Sequence, residues 1–552
     1  MNHLTSRAAP RAPASLALLF TLVLTACGGG DNDVQAGQPA PAPVASTPTT
    51  SPAPSPATGT PSPAPSPKPS TGTPSPSPAP SPSAGTPSPS PAPTPATPSP
   101  SPTPTPSPSP SPTPEPAPAP AGDSALVTTG NPFASAVLYT DPDYGKKVTQ
   151  SLAKVTAGSS DATLVRAAAA FPTAVWLDRL AAIDGAKASG GAMGLVDHLD
   201  AAVAQQKAAS GSGALKPLAI SLVVYDLPDR DCAAYASNGE LSSANNGLAT
   251  YKTQYIDRIA EILARPAYAG LRIVAVIEPD SYPNMITNLS VPACSAVNQK
   301  QVYVQGIQYA LAKLSATKNV YLYLDIAHSG WLGWEDNRQK AIQGFKALVQ
   351  GATPSGRLDI IRGFASNTAN YTPLDEPFFN GDDNIVDPSK TTGFYEWNRG
   401  VDELTFIDKL HTEFTAAGFP STLSFIVDTS RNGWGGPSRP TAAAPDVDDM
   451  RIDRRAHRGN WCNVKNTGIG ERPRANPDTS RSYLDAYVFI NPPGDSDGTS
   501  DSTANTPNAE GKRFDMKCGS TIVDSLPNAP HAGQWFHDQF LMLLRNAHPV
   551  LK

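Results

Sequence analysis

The sequence predicts an α/β domain built on a parallel sheet, and three observations carry that prediction. Seven short apolar runs recur along the chain, segments of helical periodicity separate most of them, and nearly every run closes on Asp, Asn or His. The runs are 172–178 (PTAVWLD), 219–226 (AISLVVYD), 271–280 (LRIVAVIEPD), 320–328 (VYLYLDIAH), 360–367 (IIRGFASN), 423–428 (LSFIVD) and 484–491 (LDAYVFIN). Their Val, Ile, Leu and Tyr content suits strands buried on both faces. Between them, 251–263, 302–314, 337–349 and 401–417 place apolar residues three and four apart, as helices packed on a sheet require. In a parallel barrel the polar strand ends would converge on one face, where sites form. A doubly wound open sheet also gathers ligands there, but no Gly-rich dinucleotide turn and no phosphate loop follows any of these strands.

The length alone misleads. Of 61 prolines in 552 residues, 36 fall before position 123. From 39 to 120 the chain is Pro, Ser, Thr, Ala and Gly with Lys68, Glu115 and Val44 as its only charged or branched apolar side chains, so it cannot bury a core. We expect residues 27–122 to be a linker, able to reach at most ~250 Å in a polyproline conformation, and 123–552 to be a single domain. Arg7 and Arg11 precede an apolar stretch, 14–24, of the length of an export signal, so residues 1–26 are expected to direct export. The signal ends in Leu-Thr-Ala-Cys27, which resembles the bacterial lipobox and makes Cys27 the expected lipidation site and membrane anchor; an ordinary signal cleavage is the alternative. A net charge of -6 offers no basic surface for nucleic acid.

Cys232, Cys294, Cys462 and Cys518 remain after Cys27, an even set that in an exported chain suggests two disulfides in any of three connectivities. None has zinc-site spacing, so no metal is expected.

Carboxylates crowd the strand ends: Asp226, Asp229 and Asp231 after the second run, Glu278 and Asp280 after the third, Asp325 in the fourth, and Asp495, Asp497 and Asp501 after the seventh. Facing one cleft, they cannot all ionise equally, and the environment would leave a proton donor beside an anion. Asp280 closes a strongly apolar strand and is the natural donor; Asp178, next to Arg179, reads as an ion pair. Trp176, Trp331, Trp334 and Trp461 lie near these acids, and indole faces beside hydroxyl-binding groups suit sugar rings.

The segments 223–242 (VVYDLPDRDCAAYASNGELS) and 277–289 (IEPDSYPNMITNL) resemble the two signatures of glycoside hydrolase family 6. The likeness continues through 323–334 (YLDIAHSGWLGW), 363–371, 426–433, 459–473 (GNWCNVKNTGIGERP), 484–501 (LDAYVFINPPGDSDGTSD) and 531–549. The resemblance implies a distorted seven-stranded parallel β/α barrel, a TIM-barrel variant with long loops roofing the cleft, and cofactor-free inverting hydrolysis of β-1,4-glucosidic bonds in cellulose and cello-oligosaccharides. It further implies Asp280 as general acid, Asp231 as the second carboxylate, Asp497 as a candidate base, and Tyr225 against the distorted sugar. Trp176, Ser237, Asp325, His328, Trp331, Trp334, Asn367, Arg431, Trp461, Asn491 and Asp495 become the expected substrate contacts, and Cys232–Cys294 and Cys462–Cys518 the disulfides. The chain departs from the family pattern in carrying Asn491 where a Lys is common and Asp495 where Glu is usual, so one charged sugar contact is expected to be lost. The long segment 493–531, with 372–400 and 433–458, resembles the bacterial cellobiohydrolases, which implies a monomer releasing cellobiose from non-reducing chain ends. An endoglucanase is the alternative within the family, and an inactive surface-tethered cellulose binder the alternative outside it.

Overall fold

The computed structural model describes residues 130–379, 398–434, 439, 441–442, 459–519 and 524–551. The export segment, Cys27, the linker and large parts of 372–400 and 433–458 lie outside the described residues.

All seven expected strands form. They are β1 (Val175–Leu177), β2 (Leu218–Val224), β3 (Arg272–Ile277), β4 (Val320–Asp325), β5 (Gly363–Ser366), β6 (Ser424–Asp428) and β7 (Leu484–Val488), parallel and neighbouring in chain order. The sheet holds nine strands rather than seven. Val137–Leu138 pairs in parallel with the start of β2, on the edge whose other end takes β1, and Arg474–Ala475 pairs antiparallel to β7. At two residues each, neither strand is long enough to show an alternating pattern.

The order of the sheet bears on the choice between barrel and open sheet. Consecutive strands are neighbours throughout, with none of the reversal of a doubly wound sheet, and the sheet curls until Thr173 meets Phe489 in one parallel bridge. Ala174 N donates to Phe489 O there (2.9 Å), and Trp176 Nε1 donates to Ile490 O (2.9 Å). The β1–β7 seam is thus held by a bridge and an indole rather than a ladder.

Side chains alternate across the sheet as pleating demands. Val223, Val274, Val276, Tyr323, Ala365, Ile426, Ala486 and Val488 fill the concave interior. Ile220, Leu222, Ile273, Ile277, Leu322, Leu324, Phe364 and Phe425 face the surrounding helices. Alanines on the concave side fit the narrower space, while outside Phe364 stacks on Phe414 at 4.4 Å between centroids. Each such side chain contributes about 1.5–3 kcal/mol by leaving water.

Helices span Val302–Leu314, Glu335–Gln350 and Glu403–Ala416, close to the expected segments. The segment 251–263 differs: Tyr251–Ile256 is a π-helical turn inside a longer helix. The wide turn stacks Tyr251 on Tyr255, with the Tyr251 hydroxyl on Glu278 Oε1 (2.8 Å) and the Tyr255 hydroxyl on Leu177 O. Such turns often serve a site, and this one braces the ends of β1 and β3. Cys232 is bonded to Cys294 and Cys462 to Cys518. With about 60 residues enclosed by each, the loop-entropy model gives ~4 kcal/mol apiece.

Candidate active site

Where the strands stop, the backbone turns sharply. Asp231, Glu278, Asp280, Ala327 and Asn367 all adopt left-handed conformations with φ of 50–61°. Non-glycine residues take that region at a cost and concentrate at functional sites, because only a tight turn aims the next side chain across the strand ends. The turns face a cavity of about 1300 Å³.

Asp280 lies on its wall, half-buried, and its amide donates to Asp325 Oδ2 at 3.1 Å. Burial first, then the charges of Asp231, Asp325 and Asp497, raise its pKa well above its ordinary carboxylate value. Asp325 is itself pushed up to about 7 by burial, partly offset by the amides of Asp280 and Ala327.

Asp231 has different company. Its Oδ2 accepts from the Tyr225 hydroxyl (2.5 Å) and from the Ser237 hydroxyl. Burial raises its proton affinity, and these two donors with the Arg230 charge hold the rise back. Arg230, which sequence reasoning missed, lies under the Tyr225 ring at 4.1 Å and donates to Asp178 O (2.7 Å), Ser237 O (3.0 Å) and Tyr225 O. It locks the turn that presents Asp231. Its only visible signal was its place in the DRDC string.

Asp497 is tied on three sides, by Arg431 (2.7 Å), the Asn463 amide (2.8 Å) and the Tyr371 hydroxyl. Arg431 is fully buried and stacks on Tyr371 at 4.3 Å.

Tyr225, Asp231, Asp280 and Asp497 all line the cavity, as do Trp176, Ser237, His328, Trp331, Trp334, Trp461, Asn491 and Asp495. Trp176 meets Tyr225 edge-on at 5.4 Å, and His328 meets Trp331 at 6.1 Å while bonding Thr372 Oγ1 (2.9 Å). Three expected sugar contacts do not line it. Asn367 is fully buried, its amide spent on Asp428 O (2.8 Å) and the Thr372 amide (3.1 Å); Asn370 reaches the cavity instead. Arg431 faces Asp497, and Asp325 lies behind Asp280, so both position acids. Asp226 is also buried away from the cavity, its pKa pushed up to about 9 by burial.

Asp495, expected as a sugar contact, is paired with a cation. Lys147, from the helix Pro142–Leu152, grips both oxygens of Asp495 at 2.8 and 2.9 Å.

A roof covers part of the cavity. Lys512 Nζ bridges Asp178 Oδ2 (3.2 Å) and Ala532 O (3.0 Å), and Arg179 pairs with Glu510. Arg513 stacks on Tyr235 (3.9 Å), the Tyr235 amide donates to Asp515 (2.8 Å), and a Cβ on Gly511 would fall 2.2 Å from Gly239 O. The roof segment and the loop bearing Asp231 are one packed unit. Among the described residues no cluster of His, Cys, Asp and Glu is disposed to hold a metal.

Comparison with known proteins agrees with this geometry. The model of the family "Glycosyl hydrolases family 6" matches residues 133–547. Exoglucanase A of Cellulomonas fimi is 47% identical over 449 residues, covering 78% of this chain and 50% of that protein, so the chain spans half the length of this relative. A 1,4-beta-D-glucan cellobiohydrolase C of Emericella nidulans is 38% identical over 76% of this chain and 79% of its own length. Among solved structures, the catalytic domain of Cellulomonas fimi Cel6B superposes with a TM-score of 0.69 at 46% identity, covering 77% of this chain and 97% of that one. Cellobiohydrolase II of Humicola insolens, in complex with glucose and cellotetraose, gives 0.60 at 35% identity over 76% of this chain and 100% of that one.

Proposed function

Because the chain belongs to glycosyl hydrolase family 6, we propose that it hydrolyses β-1,4-glucosidic bonds of cellulose with inversion and releases cellobiose from non-reducing chain ends. The observation that carries this reading is Asp280, a carboxyl whose proton affinity burial and three neighbouring acids raise, on the wall of a cavity lined by four tryptophans.

In the reaction, Asp280 gives its proton to the departing glycosidic oxygen as the bond to C1 breaks. Water attacks C1 from the opposite face, and its proton leaves toward a carboxylate. Asp231 suits that task better than Asp497: burial has raised its proton affinity, and its two ligands are hydroxyls that can relay a proton. Asp497 has one oxygen engaged by the Arg431 guanidinium at 2.7 Å and the other by the Asn463 amide and the Tyr371 hydroxyl, which leaves less of it free to meet a water. Tyr225, held by Asp231 and backed by Arg230, limits the room for the sugar at the cleavage point. An inverting site leaves ~6.5–9.5 Å between acid and base for the water, or more where a water chain intervenes.

The roof supports exo attack, since a packed cover hinders entry of the middle of a chain. The test is carboxymethylcellulose viscosity against reducing sugar released. Slow viscosity loss is expected; a rapid fall at low sugar release would identify an endoglucanase. Proton NMR of the first product should show the α-anomer, and a β-anomer would overturn inversion.

We further propose that residues 1–26 direct export, that Cys27 carries a lipid, and that residues 27–122 hold the domain 123–552 away from the surface. Mass spectrometry of the mature amino terminus tests this: a diacylglyceryl mass on Cys27 supports it and a free terminus elsewhere defeats it.

A further inference from the structure

The cavity does not stop at Trp176. Its wall also includes Ala182, Ala192 and Met193 and Lys147, Asp141 and His198, here called the outer limb, none of which the mechanism above uses.

The limb is a built feature. The turn 185–194 closes on itself so tightly that a Cβ on Gly185 (φ 67°) would fall 2.1 Å from Gly194 N, and the Ala186 amide donates to Ala192 O at 2.7 Å. The Met193 amide then donates to Asp143 Oδ2 (2.7 Å), fastening the turn to the helix whose N-cap is Asp141. The wall is therefore preformed.

Two of its polar groups, His198 and Asp141, are buried, lie 3.7 Å apart and are partly unspent. His198, 4% exposed, shares one ring nitrogen with the Tyr139 hydroxyl (3.0 Å); its other nitrogen has no hydrogen-bond partner among the described residues. Asp141, 8% exposed, caps its helix with Oδ1 (2.8 Å), and its Oδ2 is likewise unengaged among the described residues. Lys147 presents a cation already fixed by Asp495.

A small apolar face opposite buried donors and acceptors is what a pyranose ring requires, its C–H face on one side and its hydroxyls on the other. A free apolar ligand would leave the buried polar atoms unmet, and an anion would meet Asp141 and Asp495. A neutral sugar satisfies both sides.

We propose that this limb binds one glucosyl unit beyond the unit on Trp176, so that the protein releases cellotriose alongside cellobiose. The inference rests on the cellulose-hydrolysing reading. The experiment is the initial product distribution from cellohexaose for the wild-type chain, for Ala192→Trp, which fills the limb, and for Lys147→Met, which removes its cation. Cellotriose is expected as a minor early product of the wild type. Ala192→Trp should lower the cellotriose to cellobiose ratio about tenfold with cellobiose release kept within about twofold, and Lys147→Met should lower the ratio about fivefold, the effect of one lost hydrogen bond of ~1 kcal/mol. Wild-type cellobiose without cellotriose, or a ratio unmoved in both variants, overturns the limb and leaves the hydrolase reading standing. A wild-type chain that releases neither sugar overturns both.

Discussion

Two strand ends in this molecule carry an aspartate into the same cavity and treat it in opposite ways. Beyond β3, the Asp280 carboxyl receives no donor among the described hydrogen bonds and faces three other acids, while its backbone carbonyl accepts from the Asn284 side chain (2.6 Å). Beyond β7, Asp497 is held by a buried guanidinium, a backbone amide and a phenol. One aspartate sits among other acids with no donor on its carboxyl, and the other is clasped by three donors. The difference teaches that role follows the partners supplied by distant segments, since Arg431, Asn463 and Tyr371 come from three separate loops.

The comparison breaks first at Asp280. Asp280→Asn should lower kcat on cellohexaose by about 10²–10⁴-fold, the usual worth of a general acid, with far less loss on cellobiosyl fluoride, whose leaving group needs no proton. An Asp497→Asn variant that lost as much on cellohexaose yet was spared on the fluoride would show the two carboxylates assigned the wrong way round, and an equal loss on both substrates would make Asp497, not Asp231, the base.

Arg431→Met tests the other side. Removing one member of a buried pair should destabilise the fold by about 3–5 kcal/mol, read by chemical denaturation, and the double variant with Asp497→Asn should recover part of the loss because no charge is then left unpaired. A double variant no more stable than Arg431→Met would show that the pair is not the unit described here.

Asp325→Asn addresses the acid without touching the cavity wall. A negative neighbour raises the pKa of Asp280, so its removal lowers that pKa, and the alkaline limb of kcat against pH should move to lower pH. A limb that stays in place or moves upward would remove Asp325 from the acid's environment. The smallest effect is expected from Tyr371→Phe, which leaves Arg431 and the Asn463 amide on Asp497: about 1 kcal/mol of stability, with the pH profile unmoved.

The same contrast explains what could be read from the sequence. The seven long strands were legible because burial on both faces writes a continuous apolar run, and the acids were legible because each follows such a run. The strands Val137–Leu138 and Arg474–Ala475 were illegible because two residues carry no period. Asn367 looked like a sugar ligand by its position after β5, but its left-handed backbone turns the amide onto Asp428 O, a partner 61 residues away. Lys147 was invisible for the same reason in reverse, since its carboxylate lies 348 residues further on. Sequence periodicity reports which face a residue occupies; it does not report which distant loop will meet it.

Trp176 offers a last consequence. Its indole nitrogen staples Ile490 across the seam between β1 and β7, while its ring lines the cavity beside Tyr225. A single side chain is therefore a latch of the barrel and, in the function proposed above, also a rung for the sugar chain. Truncating it would loosen the seam and empty a subsite together, so an alanine scan would score one event as two. Replacement by Phe, which keeps a ring and drops only the staple, separates them, and amide exchange at Ala174 reports the seam by itself.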